Sequence, residues 1–243
     1  MSTTIFLAGA TGAIGRQLTP LLVEVGYRVF GTTRVMDRAR VLQAAGAEPV
    51  TLDVFDVPAV EAAFSRIRPE ILIHEITDLP QRLDREAMIE GEVRNARVWS
   101  EGTRNLMKAA KNAGTRRAIA QSLAWLYAPG PEPHREEDVL GVTDADSRVV
   151  LEGVLALEHA VLDTAPVEGI VLRYGLLYGP GTSSEQPQGP CHLHVQAAAH
   201  AALLAIEKGR PGAYNVADDN TFVSTAKARQ ELGWDPAFRR LPR

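Results

Sequence analysis

A glycine-rich turn near the start of the chain constrains the fold more than any other feature of the sequence. Gly9, Gly12 and Gly15 directly follow a strand-like apolar run, 4–8, and open a helix-like segment that ends at Gly26. In such a turn one glycine permits the tight bend, one lets the backbone approach a diphosphate, and one lets the helix pack on the strand. N–H groups at the start of the helix then point toward the anion. This context predicts a dinucleotide site, with a plain tight turn as the alternative. The predicted site comprises Gly9, Thr11, Gly12, Ala13, Ile14 and Gly15.

Strand-like and helix-like segments alternate along most of the remaining chain. Further strands are predicted over 28–32, 48–52, 70–76, 117–121, 169–173 and 213–216, with long helices over about 92–113 and 147–162. Such alternation is typical of βαβ units on a parallel sheet. We therefore predict an α/β fold with a Rossmann-type doubly wound parallel sheet, in which residues 1–175 form the dinucleotide-binding domain. Residues 176–243 are predicted to form a reduced C-terminal substrate cap packed on the same core.

Residues at the ends of the second and third strands bear on which dinucleotide binds. An NAD site usually has Asp or Glu about 20 residues after the glycines, whereas Arg at this place suits the 2′-phosphate of NADP. The sequence has Thr33 and Arg34 there and no acidic residue before Asp37, which favours NADP(H) over NAD(H). Arg34 as a solvated loop charge is the alternative. Asp53 and Val54 follow the third strand where the adenine is expected, and Asp53 either accepts a hydrogen bond from its amino group or caps the next helix.

The charge balance and the cysteine count narrow the range of partners. Lys and Arg number 26 against 30 Asp and Glu, so the chain lacks the basic excess that attracts nucleic acid or an anionic membrane. Cys191 has no second cysteine to pair with, and no apolar stretch approaches the roughly 18 residues of a membrane span. The first residues lack the pattern of a signal peptide. A cytoplasmic protein with a small-molecule substrate is expected.

Motifs spread over almost the whole chain resemble those of one enzyme family. Besides the glycine turn, they are 52–54 (LDV), 101–106 (EGTRNL), Ser122, 172–181 (LRYGLLYGPG), 212–216 (GAYNV) and 226–234 (AKARQELGW). In this order they resemble the extended and atypical short-chain dehydrogenase/reductases, the NAD-dependent epimerase/dehydratase group. The resemblance implies an NAD(P)-binding oxidoreductase or epimerase-like enzyme. It also implies a homodimer formed by the 92–113 and 147–162 helices, because family members commonly pair two helices from each subunit.

The chain departs from this family at the residues that usually perform the acid–base chemistry. Family members use Ser or Thr with a Tyr-x-x-x-Lys pair, in which the lysine lowers the pKa of the tyrosine. Aligning Glu158 with the family's acidic residue places Val150 and Val154 at the Tyr and Lys positions, and no Tyr-x-x-x-Lys occurs anywhere in the chain. The C-terminal region is also short, which favours a substrate smaller than a sugar nucleotide.

Four other residues are candidates for the chemistry or for contact with the cofactor. Ser122 ends the fifth strand, where it is placed to polarise a substrate oxygen. Tyr127 is the nearest phenol able to replace the missing one, and a packing tyrosine is the alternative. His74 and Tyr174 are predicted beside the cofactor, with a buried hydrogen-bonded histidine and a core tyrosine as the alternatives. No metal is expected, because the spacing is wrong for ligands in the remaining cluster of Cys191, His192, His194 and His200.

Three functions remain open at this point. The first is an NADP(H)-dependent enzyme acting on a small carbonyl or hydroxyl substrate, with the hydride from the cofactor and the proton from Tyr127 or water. The second is a non-catalytic dinucleotide sensor or regulatory protein, since the acid–base pair is missing. The third is a redox-neutral isomerase or lyase in the same pocket. Two Pro-rich stretches, 127–146 and 178–190, are predicted to form either rims of that pocket or plain surface loops.

Overall fold

The central sheet determines where the predicted site residues lie. A computed structural model describes residues 2–80, 85–145 and 147–240 of the chain. The strands in these residues are β1 (Thr4–Ala8), β2 (Arg28–Thr33), β3 (Glu48–Thr51), β4 (Ile71–His74), β5 (Arg117–Leu123), β6 (Glu168–Tyr174), β7 (Leu176–Tyr178), β8 (His192–His194) and β9 (Gly212–Val216). The parallel central sheet has the order β3-β2-β1-β4-β5-β6-β9, and β7 and β8 form a separate pair. The order reverses between β1 and β4, which confirms the predicted doubly wound sheet.

Helices cover both faces of the sheet. They are α1 (Ala13–Val25), α2 (Ala39–Ala44), α3 (Val57–Ile67), α4 (Arg85–Arg97), α5 (Thr103–Ala113), α6 (Arg148–Leu162) and α7 (Val195–Ala205). A π-helical turn, Val98–Gly102, joins α4 to α5, and shorter turns occupy Met36–Arg38 and Ala228–Leu232. The helix predicted over 92–113 is therefore confirmed but begins earlier, at Arg85. Within the described residues, no helix has the length and apolar character that crossing a membrane requires.

Alternate residues of each strand divide the core into two layers. On β1, Ile5 and Leu7 belong to the layer under α1, α2 and α7, whereas Phe6 and Ala8 belong to the layer under α3, α5 and α6. Both faces of the sheet are covered, and this is why its strands are nearly continuous apolar runs in the sequence. The polar side chains of interest consequently lie at the carboxyl ends of the strands.

The C-terminal segment is part of this core as well as a cap. β9 pairs with β6 in the central sheet, from Ile170 opposite Gly212 to Tyr174 opposite Val216. α7 packs beside α1, and the Trp234 indole N–H donates a hydrogen bond to a carbonyl of α7. The β7–β8 pair and its connections are what remain as a small cap. Residues on both sides of position 175 therefore build one sheet. The division into two domains at this position stays a prediction.

The stretch after β5 lies against the carboxyl edge of the sheet. Tyr127 and Leu140 form an antiparallel bridge, and His134 bridges to Val223 in the C-terminal segment. The Glu136 carbonyl accepts a hydrogen bond from an arginine at the end of β6. Through these contacts residues 127–145 form a rim along this edge. Asp146, the last residue of the predicted stretch, lies outside the described residues.

Candidate active site

The glycine turn has the backbone geometry of an anion site. Gly9 has φ +89°, and a Cβ at this position would lie 2.6 Å from the backbone of Glu75. A Cβ at Gly15 would overlap the carbonyl oxygen of Gly9. Gly12 precedes α1 and provides no side-chain cap for its first N–H groups. The start of a helix without such a cap attracts anions, so this cradle fits the diphosphate of a dinucleotide.

The other predicted members of the turn support it in different ways. The carbonyl of Thr11 accepts a hydrogen bond from Arg16 Nε (2.9 Å), which ties the turn to the first turn of α1. Ala13 begins α1, and Ile14 is buried in the core layer below that helix. Thr11 and Ala13 therefore offer backbone atoms at the surface of the turn, whereas Ile14 anchors it.

The cationic residue predicted to read a 2′-phosphate already has a partner. Arg34 Nη2 and Nη1 lie 2.8 and 3.3 Å from the two carboxylate oxygens of Asp78, and the Arg34 side chain is 53% exposed. Hydrogen bonding to Asp78 raises the pKa of Arg34. Thr33 is buried, and its hydroxyl accepts a hydrogen bond from the Val35 N–H. Exposed ion pairs contribute little free energy, so a phosphate can exchange with Asp78 at small cost.

The turn after β3 corrects one of the two roles considered for Asp53. Asp53 Oδ1 accepts a hydrogen bond from the Phe55 N–H (2.9 Å), whereas Asp56 caps α3 by accepting from the Ala59 N–H. Asp53 is therefore not the helix cap, because the helix starts three residues later than that role requires. Val54 is buried, and its carbonyl accepts from an asparagine of α5. The exposed Asp53 carboxylate stays a predicted adenine contact.

His74 points into the core layer under α5 rather than toward the edge of the sheet. Its Nε2 lies 3.0 Å from the Thr103 hydroxyl, and its Nδ1 accepts a hydrogen bond from the Ile76 N–H. Burial lowers the pKa of His74 to about 4, so the ring is neutral. Both ring nitrogens are satisfied inside the protein, which favours the structural role over contact with a cofactor.

Ser122 belongs to a buried ionic network between β5, α6 and β6. Its hydroxyl donates a hydrogen bond to Glu158 Oε1 (2.6 Å), and the same carboxylate is held by Arg173 through Nε (2.9 Å) and Nη2 (2.7 Å). All three residues are buried. The hydroxyl proton of Ser122 is thus committed to Glu158, and polarising a substrate oxygen would require that bond to be exchanged.

Tyr127 belongs to the same network through a hydrogen bond with Arg173. Its hydroxyl donates to Asn215 Oδ1 (2.7 Å) and accepts from Arg173 Nη1 (2.8 Å), while its ring stacks on His134. Burial raises the pKa of Tyr127 and outweighs the opposite effect of Arg173. A family tyrosine acts as a base because its pKa is lowered, so these surroundings favour the packing role for Tyr127.

The helix that carries the Tyr and Lys positions is apolar at both of them. Val154 of α6 is fully buried in the layer that also contains Trp99 and Leu157, and Val150 is half-buried against that layer. Neither position brings a proton donor or acceptor to the carboxyl edge of the sheet. The usual acid–base pair is therefore replaced by core packing.

A second buried carboxyl lies at the point where the strand order reverses. Glu75 directly follows β4, its side chain is buried, and its Oε1 accepts a hydrogen bond from the Tyr174 hydroxyl (3.1 Å). Burial raises the pKa of Glu75 to about 8, and the same burial raises that of Tyr174. Tyr174 was predicted to lie near the cofactor, and the structure places it at the carboxyl end of β6, two strands from β4.

Glu75 is not among the site residues predicted from the sequence, and Glu158 and Arg173 contribute to that prediction only through their match to the family's motifs. A charged residue directly after an apolar strand such as 71–74 was the available signal for Glu75. The pairing of Glu158 with Arg173 has no local signal, since the residues approach only when α6 folds back on β6. No cluster of metal-ligating side chains occurs among the described residues.

Comparisons with known proteins agree with this geometry. Residues 5–203 match the model of the NAD dependent epimerase/dehydratase family. A Streptomyces protein named 3-diazoavenalumate denitrifying reductase is 36% identical over 237 residues, which cover 88% of this chain and 76% of that protein. The dTDP-4-dehydrorhamnose reductase of Streptomyces griseus is 30% identical over 178 residues, covering 72% of this chain and 50% of its own length. The UDP-glucose 4-epimerase structure from Thermotoga maritima superposes with a TM-score of 0.79 at 18% identity, covering 98% and 94% of the two chains.

Proposed function

The chain belongs to the NAD-dependent epimerase/dehydratase family, and from that premise we propose that it is an NAD(P)H-dependent reductase of a small substrate that needs no tyrosine–lysine acid–base pair. One observation carries the proposal. The three glycines of the phosphate turn are present, whereas the Tyr and Lys positions of α6 are occupied by Val150, which packs against the core, and Val154, which is buried in it. The chain has kept the means to bind a hydride donor and lacks the usual means to move a proton.

This combination favours an electrophile whose reduction does not create an alkoxide. Reducing a carbonyl or epimerising a sugar moves a proton on an oxygen, and a positioned acid or base contributes 10²–10⁴-fold to such steps. Reducing an aryl diazonium group is different. Hydride adds to the terminal nitrogen, the resulting aryldiazene gives up its N–H proton as N2 leaves, and the ring carbon takes up a proton. The balance is ArN2⁺ + NAD(P)H → ArH + N2 + NAD(P)⁺, with no proton consumed.

The relative named as a denitrifying reductase makes this substrate class concrete. We propose an aromatic diazo compound as the substrate, with a small carbonyl compound as the second candidate because a dTDP-4-dehydrorhamnose reductase is also similar to the chain. In either case the residues of the glycine turn hold the dinucleotide, and the nicotinamide supplies the hydride. We expect the rim formed by 127–145 and the β7–β8 pair to bound the space for the substrate.

The test follows hydride and nitrogen separately. Protein, NADPH and a 15N-labelled carboxybenzenediazonium salt are mixed, labelled N2 and the arene are measured by mass spectrometry, and oxidation of NADPH is followed by its absorbance. Reactions without protein and with Gly9→Ala protein give the uncatalysed rate. Labelled N2, arene and NADP⁺ formed in equal amounts above that rate support the proposal. Turnover of carbonyl compounds alone would replace it with the second candidate, and tight cofactor binding with no turnover would favour the sensor.

We also propose that NADP(H) is preferred, through exchange of Asp78 for the 2′-phosphate at Arg34. Removing the competing carboxylate with Asp78→Asn is expected to tighten NADPH binding by up to about fivefold, because an exposed pair is worth only about 0–1 kcal/mol and 1.4 kcal/mol corresponds to tenfold. Arg34→Ala is expected to weaken NADPH and leave NADH unchanged. Equal effects of Arg34→Ala on both dinucleotides, measured by fluorescence titration, would contradict this preference.

A homodimer through α4 and α6 is proposed on the apolar side chains that these helices expose. Ile89 and Val93 of α4 are 57% and 55% exposed, and Leu155 of α6 is 44% exposed. The two helices pack against each other. Apolar side chains concentrated on adjacent helices are typical of subunit contacts.

A further inference from the structure

Glu75 is a buried carboxyl that the proposed reaction does not use. It is 5% exposed, its Oε1 accepts one hydrogen bond from Tyr174, and its buried Oε2 has no hydrogen-bond partner in the described structure. A buried polar atom without a partner destabilises the fold, so such an atom is a candidate for contact with a bound group. Because burial holds the pKa of Glu75 near 8, the group is neutral at pH 7 and carries a proton.

The surroundings of Glu75 contain little charge to balance an ionised form. Tyr174 of β6 is the ionisable group that bonds to it, and His74 next to it points to the opposite face, where it bonds to Thr103. The turn between β1 and α1, residues 8–15, contains no ionisable side chain. Arg16, the first charged residue of α1, bonds to the Thr11 carbonyl. The protonation state of Glu75 is therefore open to control by whatever binds beside it.

The position of Glu75 points to the cofactor. Its backbone packs against Gly9 of the phosphate turn, and it stands at the reversal of strand order between β1 and β4. A dinucleotide crosses the carboxyl edge of such a sheet at this reversal, with its diphosphate on the first helix. The adenine half then lies over β1–β3 and the nicotinamide half over β4–β6, where Glu75 and Tyr174 both lie.

We propose that the Glu75 carboxyl, held by Tyr174, faces the nicotinamide half of the cofactor and sets the relative affinity for its oxidised and reduced forms. This inference rests on the proposed use of NADP(H). The oxidised nicotinamide ring carries a positive charge and the reduced ring carries none. An ionised Glu75 attracts the cationic ring and favours the oxidised form, whereas a neutral Glu75 lacks this attraction. At neutral pH the site therefore does not hold the oxidised cofactor in preference to the hydride donor, which is the form that a reductase must bind.

The predicted signature is a pH-dependent ratio of two dissociation constants. NADPH is titrated by fluorescence and NADP⁺ by calorimetry from pH 6.5 to pH 9.5, a range that spans the pKa of Glu75. Ionisation on the high side strengthens NADP⁺ binding relative to NADPH, so Kd(NADP⁺)/Kd(NADPH) is expected to fall by about fivefold or more. Groups common to both forms of the cofactor, such as the phosphates, cancel in this ratio.

Two variants and one control test whether Glu75 causes the change in this ratio. Glu75→Gln keeps the shape without the titration and is expected to hold the ratio constant within about twofold across the range. The hydrogen bond from Tyr174 lowers the pKa of Glu75, so Tyr174→Phe is expected to move the fall to higher pH. Glu70→Gln alters an exposed carboxylate just before the opposite end of β4 and is expected to leave the wild-type profile unchanged.

The outcomes separate this inference from the proposed function. A wild-type ratio that does not change with pH, while both forms bind, overturns the role of Glu75 and leaves the reductase standing. The same holds if Glu75→Gln folds, as shown by circular dichroism, and retains the wild-type slope. If neither form of the cofactor binds, the cofactor assignment itself fails, and the role of Glu75 fails with it.

Discussion

Replacing Glu158 with glutamine is expected to lower the melting temperature by about 6–12 °C. Glu158 and Arg173 are 8% and 7% exposed, and Arg173 holds both carboxylate oxygens at 2.9 and 2.7 Å. Glutamine keeps the shape and one acceptor but leaves the buried guanidinium without its counter-charge. Breaking a buried pair in this way costs about 3–5 kcal/mol, and the retained acceptor favours the lower end, about 3 kcal/mol. For a chain of this size each kcal/mol corresponds to about 2–4 °C.

An exposed pair with the same fork geometry provides the control. Arg28 Nε and Nη2 lie 2.6 and 3.2 Å from the two oxygens of Glu48, but the side chains are 58% and 49% exposed. Glu48→Gln is therefore expected to change the melting temperature by at most about 4 °C, because exposed pairs contribute little to stability. Both variants are measured by calorimetry beside the wild type. Equal shifts for Glu158→Gln and Glu48→Gln would refute the reasoning, because burial is the only intended difference between the pairs.

Four further predictions address the site and the assembly. Gly9→Ala is expected to weaken NADPH binding by about 100-fold or more in a fluorescence titration, because its Cβ would meet the backbone of Glu75 just after β4. Gly26→Ala is expected to leave binding unchanged in the same titration, because Gly26 also has positive φ but nothing lies within 4 Å of its Cβ position. Tyr127→Phe is expected to lower the free energy of unfolding, measured in urea, by about 1–3 kcal/mol, while kcat changes less than twofold. A large loss of kcat at unchanged stability would instead identify Tyr127 as the catalytic residue. Ser122→Ala is expected to behave likewise, since its hydroxyl bonds to a buried carboxylate. Val93→Glu is expected to convert a dimer to a monomer in light scattering, and a monomeric wild type would rule out the proposed contact.

The sheet and the glycine turn were predictable because their signals are local. A strand, a glycine turn and a helix in immediate succession determine the geometry of 4–25 almost completely, and β9 is recognisable as a short apolar run before a turn. The π-helical turn Val98–Gly102 has no such signal, because neighbouring residues have ordinary helical propensities and the extra residue is accommodated only by packing against α6.

The roles of the polar residues were less predictable because they depend on contacts distant in sequence. Ser122 and Tyr127 were correctly placed at the carboxyl edge of β5, but their partners Glu158 and Asn215 come from α6 and β9. The position of a residue at the end of a strand predicts that its hydroxyl lies at the edge of the sheet. It does not predict whether that hydroxyl faces a pocket or a buried carboxylate. His74 shows the same limit, since its partner Thr103 is 29 residues away.

The hydrogen bonds of two buried phenols at the carboxyl edge support the proposed class of reaction. Tyr127 donates its proton to Asn215 and Tyr174 donates its own to Glu75, and burial raises the pKa of both phenols. Neither phenol therefore has the lowered pKa of the tyrosine that family members use to exchange a proton with a substrate oxygen. The overall reduction of an aryl diazonium group to an arene and N2 consumes no proton, so the proposed reaction does not depend on such a phenol. It requires the glycine turn to hold the hydride donor, and the proposed role of Glu75 concerns the affinity for that donor rather than the transfer of a proton.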